Sequence, residues 1–168
     1  PQVLQQFRAE KGLAYDALRA NPSYYADKQF FADLNKETSR LQNMKALDVS
    51  AELNLLNNLK QMNFNGDELV ESIKRLRDSA QTNSSPLANA RDKDLGRAQK
   101  FAAKQLESLA ERNLTNFNQP DVMKNFKQAR EDIAKSYTIE KALNATTGNV
   151  SGADLGNLAR KGKIVPAE

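Results

Sequence analysis

The sequence predicts an all-α protein of about six to seven helices, arranged as a helical bundle or as orthogonally packed helices. Apolar residues recur at three- and four-residue spacing along nearly all of the 168 residues, whereas alternation with period two never extends beyond a few positions. The first pattern is typical of amphipathic helices and the second of strands. Turn-forming residues divide the helical pattern into segments of ordinary helix length.

Four helices are predicted in the first half of the chain. They cover about residues 2–20, 27–43, 50–62 and 67–81. The first ends before Pro22, because proline disfavours a helical conformation in the residue that precedes it. The apolar stripe of the third drifts in phase, so we expect this helix to be broken or bent. Asn65 or Asp67 is suited to cap the fourth.

The second half begins with a linker and continues with longer helices. Thr82-Asn83-Ser84-Ser85-Pro86 forms the linker, and the longest helix follows at about residues 87–116. Pro120 then opens a helix over residues 121–137, since proline is favoured in a first turn, and residues 138–144 are expected to continue it. A last short helix is predicted to start at Ser151, with Asp154 at capping-box spacing.

The length is that of a single domain able to bury a core without metal or disulfide support. Residues 1–168 are therefore expected to form a single helical domain, or a fragment of a longer protein. The start at Pro1 rather than Met permits either removal of the initiator or an excerpt from a longer polypeptide, and the open-ended Ile164-Val165-Pro166-Ala167-Glu168 favours the excerpt. A sub-boundary is expected at residues 82–86, which would separate a helical half at 1–81 from another at 87–168.

Composition excludes several kinds of chemistry. The sequence contains no cysteine and no histidine, so disulfides, thiolate catalysis and Ser-His-Asp triads are excluded. A pair of carboxylates could still hydrolyse a glycosidic bond. The candidate pairs are Glu107 with Glu111 and Glu68 with Glu71, but both are expected on surface faces crowded with lysine and arginine. We therefore predict no catalytic residue.

A metal site or a bound cofactor is not expected either. Asp67, Glu68, Asp92 and Asp94 could bind a hard cation, but they lack the ligand spacing of a calcium-binding loop. Helix capping explains these carboxylates better.

Basic residues form three modest clusters, although the net charge is only +4. They are Lys74, Arg75 and Arg77 on one helix, Arg97, Lys100 and Lys104 along the next, and Arg160, Lys161 and Lys163 near the end of the sequence. Such clusters can contact phosphates in a salt-dependent way. Acidic neighbours make an ordinary charged surface the favoured interpretation, and non-specific DNA binding would gain support if the clusters shared one face.

The densest aromatic cluster consists of Tyr24, Tyr25, Phe30 and Phe31. Tyrosine provides a large contact area at low entropic cost, which is typical of hot spots in protein interfaces. The same residues could equally form a corner of the core. Both interpretations stay open at the level of sequence.

One stretch of the chain resembles a known group of proteins. The run Ala-Arg-Glu-Asp-Ile-Ala-Lys-Ser-Tyr-Thr-Ile-Glu-Lys-Ala-Leu-Asn at 129–144, followed by residues 147–150 and 158–163, resembles a segment common in bacteriophage structural proteins. Residues 69–80, 94–98 and 106–112 look like earlier parts of the same pattern. The resemblance covers roughly residues 64–165.

The resemblance implies a place in the virion and no reaction. The expected function is that of a non-enzymatic internal or ejection protein, assembled near the portal and tail. Its expected partners are other virion proteins and copies of itself, with no cofactor and no small-molecule substrate. The alternatives are a minor capsid or tail structural protein without an ejection role, and a non-specific DNA-binding module in contact with packaged DNA. No apolar run is long enough for a transmembrane segment.

Overall fold

The computed structural model describes residues 2–145, and within them it contains six α-helices and one short pair of strands. The helices are α1 (Gln2–Asp16), α2 (Lys28–Gln42), α3 (Ser50–Asn58), α4 (Gly66–Asn83), α5 (Ala90–Asn116) and α6 (Pro120–Ala145), and a 3₁₀ turn, Ala17–Ala20, follows α1. The strands are β1 (Tyr24–Tyr25) and β2 (Asn63–Phe64). The all-α prediction is confirmed, whereas the helix predicted from Ser151 lies outside the described residues.

Side-chain caps fix where three of the helices begin. Asp27, Asn65 and Asn89 each accept a hydrogen bond from a backbone N–H three residues later, at 2.7 to 2.8 Å. Each bond satisfies a donor that the first turn of a helix leaves unpaired. Because Asn89 is the cap, α5 begins at Ala90, and the prediction of a start at 87 was wrong.

The third and last helices also differ from the prediction. Helix α3 ends at Asn58 rather than near 62, because the chain must reach β2 and pair with β1 at Asn63–Phe64. Helix α6 runs without interruption to Ala145, so the expected continuation through residues 138–144 is present.

The chain forms two compact units. Of the described residues, 2–17 and 121–145 belong to the first unit and 18–120 to the second. The sub-boundary expected at 82–86 does not coincide with this division. It lies inside the second unit, where α4 and α5 on either side of it pack against each other.

The first unit is built from α1 and most of α6. The rings of Tyr15 and Phe126 meet edge to face, with centroids 4.8 Å apart, and both side chains are buried. Val3 and Leu13 are largely exposed. Helical spacing places Val3 on the apolar stripe of the first helix, but its exposure shows that the stripe is not buried at this position.

In the second unit α5 contacts α2, α3, α4 and β1. Its large buried residues are Leu106, Leu109 and Leu114. Its side toward the α4–α5 turn carries small residues: an added Cβ at Gly96 would lie 3.0 Å from the Asn83 Cβ. Small residues let two helices approach closely, so the α4–α5 hairpin is tight.

A buried ion pair joins the two helices of this hairpin. Arg77 of α4 donates to the carboxylate of Glu107 of α5, whose side chain is fully buried, while that of Arg77 is 18% exposed. The expectation that Glu107 lies on a surface face was wrong, because α4 covers that side of α5.

Replacing Arg77 with methionine should destabilise the protein strongly. The substitution leaves the buried Glu107 carboxylate without this cation, which costs about 3–5 kcal/mol in comparable cases. We expect R77M to lower the free energy of unfolding by that amount in urea titrations followed by circular dichroism.

The double variant R77M/E107M should recover most of the loss, because two apolar side chains of similar length need no ionic partner. The control is R75M, two residues before Arg77 and exposed, which should change stability by less than about 0.5 kcal/mol. Equal stabilities for R77M and R75M would contradict a structural role for the pair.

Candidate protein interface at the β1–β2 ladder

Strands β1 and β2 form a two-stranded antiparallel ladder in the second unit. Tyr24 pairs with Phe64 and Tyr25 with Asn63, and the N–H of Ala26 donates to the carbonyl of Met62 at 3.0 Å. Successive strand residues face opposite sides. Tyr24 and Phe64 are accordingly buried, while Tyr25 and Asn63 are exposed.

The inward side of the ladder belongs to the core. The Tyr24 hydroxyl donates to the carbonyl of Leu18 at 2.7 Å, and its ring centroid lies 6.0 Å from that of Phe117. Burial raises the pKa of the Tyr24 phenol, although the hydrogen bond from Asn21 opposes the rise. The phenol is therefore neutral and acts as a structural hydrogen-bond donor.

The aromatic cluster of the sequence divides between core and surface. Tyr24 and Phe30 are fully buried, and the Phe30 ring packs edge to face on Phe64 at 5.9 Å. The core interpretation thus applies to these two residues. Phe31 is half-buried and Tyr25 is exposed, so an interface at this position would use Tyr25 first.

The outer edge of β1 is held by a side chain of α5. Asn113, whose side chain is buried, accepts from the N–H of Tyr25 at 2.8 Å and donates to its carbonyl at 3.0 Å. Its amide nitrogen also donates to the carbonyl of Leu109 at 2.9 Å. The carboxamide thereby pairs with the backbone of β1 as a neighbouring strand would.

The result is an exposed aromatic residue on a fixed backbone. Tyr25 is 56% exposed and Met62 on the adjacent strand end is 75% exposed, although the main chain of Tyr25 is bonded through Asn113. Tyrosine and methionine are enriched in protein interfaces. A surface that is already ordered loses less entropy on binding, so this geometry suits a protein contact.

A second pair of groups ties α2 to α5 beside Tyr25. Arg112 donates to both carboxylate oxygens of Asp27, from Nε at 2.6 Å and from Nη2 at 3.1 Å. The hydrogen bond from Arg112 is the main reason that the pKa of Asp27 is lowered from its usual 3.8, and burial opposes this shift. Asp27 is at the same time the cap of α2.

The basic residues singled out in the sequence have different surroundings. Arg77 is bonded to Glu107, and Arg97 to Asp94 on its own helix. Arg75, Arg97, Lys100 and Lys104 are exposed and Lys74 is half-buried, whereas Arg160, Lys161 and Lys163 lie outside the described residues. Lys93, which was not singled out in the sequence and is half-buried, adds a fourth cation at helical spacing to Arg97, Lys100 and Lys104 on α5.

One carboxylate of each candidate pair has a structural contact. Glu107 is bonded to Arg77, and Arg19 donates to both Asp67, at 3.1 Å, and Glu71, at 2.6 Å. The hydrogen bond from Arg19 is the main reason that the pKa of Glu71 is lowered. These contacts join the 3₁₀ turn to the first turns of α4.

The described carboxylates were also compared with the requirements of a metal site. Within residues 2–145, no group of three or more acidic side chains is placed to hold a metal ion. The buried Oε2 atom of Glu52, on α3, has no hydrogen-bond partner. Glu52 was not singled out in the sequence, although it lies one turn before the buried Leu56 and thus on the same stripe.

Comparisons with protein families, curated proteins and solved structures found no match to this chain. Among the described helices, none has the length and apolar character required to cross a lipid bilayer.

The Asp27–Arg112 pair should give the protein a stability contribution that is lost in acid. Because the folded pKa of Asp27 is depressed, this contribution is complete above the unfolded pKa and disappears as the pH falls through the folded pKa. D27N keeps a capping side chain but removes the charge. It should cost about 0.2–1 kcal/mol at pH 7, with the difference from the wild-type chain vanishing well below pH 3.8.

Urea titrations at pH 7 and in steps down to acid pH would measure this difference. D27A serves for comparison, because it removes the helix cap as well as the charge. It should cost roughly a further 0.5–2 kcal/mol, and this additional loss of stability should persist in acid. A D27N deficit that is unchanged across the pH range would contradict the assignment of the shift to Arg112.

Proposed function

We propose that this chain is a non-enzymatic component of a bacteriophage virion, an internal or ejection protein that assembles near the portal and tail. The resemblance of residues 64–165 to phage structural proteins supports this location. The contacts of the described charged residues support a structural role, because Arg19, Arg77 and Arg112 connect separate elements of the fold.

The observation that carries the proposal is the exposed Tyr25 on a backbone held by Asn113. An assembly protein needs surfaces that are ordered before the partner arrives. Tyr25 supplies a large contact area with few rotatable bonds. The proposed partners are other virion proteins and copies of this chain.

Location can be tested on purified particles. Phage particles from the source of this sequence would be banded by density, treated with protease and analysed by mass spectrometry, before and after DNA release is triggered. An internal or ejection protein should be protected in full particles and depleted from emptied ones. Retention in emptied particles would favour a minor capsid or tail protein instead, and absence from full particles would refute the virion role.

The contribution of Tyr25 can be tested by incorporation. During infection, a tagged copy of the full chain would be supplied from a plasmid, and its amount in banded particles would be compared with that of tagged Y25S. We expect Y25S to be incorporated at least fivefold less, because a hot-spot side chain contributes about 2 kcal/mol or more to a contact.

The matched control is L87S, which changes another exposed apolar residue outside the ladder. It should be incorporated as well as the wild-type chain. Thermal unfolding of both variants would verify that the fold is intact, since neither side chain is buried. Equal incorporation of Y25S and L87S would remove Tyr25 from the interface.

A further inference from the structure

We propose that one face of α5, formed by Lys93, Arg97, Lys100 and Lys104, binds the phosphate backbone of double-stranded DNA without reading its sequence. We refer to these four residues as the α5 basic row. The inference rests on the charge geometry of α5 and is independent of the place of the protein in a virion.

The spacing of the row places all four cations on one side of the helix. They follow one another at intervals of four, three and four residues. At 3.6 residues per turn, the side chains fall within an arc of about 60°. The row is about 16 Å long at 1.5 Å per residue, which is long enough to contact several successive phosphates.

The row lies opposite the apolar buried side of α5 and borders the side on which Gly96 and Glu107 are buried. Ala98, Ala102, Leu106 and Leu109 are buried, whereas Arg97, Lys100 and Lys104 are exposed and Lys93 is half-buried. The packing of α5 on α2, α3, α4 and β1 fixes the direction of the row. A straight, rigid strip of positive charge is therefore presented to solvent.

The segment that contains the α5 basic row has a higher density of positive charge than the chain as a whole. Residues 93–104 contain four basic residues and one acidic residue, a net charge of 4 − 1 = +3, compared with +4 for all 168 residues. The acidic residue, Asp94, pairs with Arg97 at the surface. Such exposed pairs contribute only about 0.2–1 kcal/mol, so a phosphate can replace the carboxylate as the partner of Arg97.

These features favour a regular polyanion over an acidic protein. Duplex DNA carries one negative charge per 1.7 Å or so of its axis, which matches an extended and straight row of cations. Because the row has amine and guanidinium groups and no base-reading motif, the contacts should be made to phosphates alone.

The test measures binding of the full chain to a fluorescently labelled 20-base-pair duplex of arbitrary sequence, by anisotropy at several salt concentrations. With about four phosphates contacted, the logarithm of the binding constant should fall with that of salt concentration with a slope of roughly −3 to −4. The variant K93Q/R97Q/K100Q/K104Q should bind at least tenfold more weakly and with a slope near zero.

The matched control is K28Q/K36Q/K45Q/K124Q, which removes the same charge from exposed lysines elsewhere. It should lose less than threefold in affinity, and circular dichroism would confirm that both variants are folded. Equal losses of affinity in the two variants would show an effect of net charge alone and would overturn the proposal. The proposal would also be overturned if the α5 variant bound DNA as tightly as the wild-type chain.

Vesicles containing anionic lipid serve as a competing probe. Stronger binding to the vesicles than to duplex DNA at equal phosphate concentration would also overturn the proposal, while weaker binding supports it. A failure of this test would leave the virion proposal untouched, because that proposal is tested by the composition of particles.

Discussion

The burial of α5 on several neighbours at once is the constraint on which the second unit depends. Helix α5 contacts α2, α3, α4 and β1, and its Leu106, Leu109 and Leu114 are inaccessible to water. Small residues such as Gly96 permit the close approach of the segment that follows α4. The packing of α4 on α5 buries Glu107, and its ion pair with Arg77 stabilises the buried carboxylate, since an unpaired buried charge is costly. The packing of the helices therefore determines which polar groups are buried and need partners.

Both proposed surfaces of the second unit are consequences of that burial. Asn113 reaches β1 because it lies on the buried side of α5, and the α5 basic row is exposed because it lies on the other side. One helix thus positions an aromatic contact and a cationic strip, two surfaces of different chemistry. The helical repeat of α5 fixes where the two surfaces lie relative to each other. Residues of one surface can therefore be substituted without moving the other.

Helical periodicity predicted the number and type of the helices, because the pattern of apolar residues is a direct record of which side is buried. It could not assign partners to the polar residues. Asn113 sits among the leucines of α5, and only the course of β1 shows that it binds backbone. The burial of Glu107 depends on α4, which is remote in sequence. For the interface, Tyr24 and Tyr25 are chemically alike, and a two-residue strand too short to show alternation decides which one is exposed. Lys93 could have been found from its spacing to Arg97, Lys100 and Lys104.

The bond between Asn113 and Tyr25 spans 88 residues of sequence. During synthesis, β1 leaves the ribosome long before the helix that holds its outer edge, and closing so large a loop has an entropic cost. A growing chain that has not reached Asn113 has no side chain to fix the orientation of Tyr25. Tyr25 therefore reaches its final orientation only once nearly the whole second unit has been made, so the proposed contact would form only after that unit has almost finished folding.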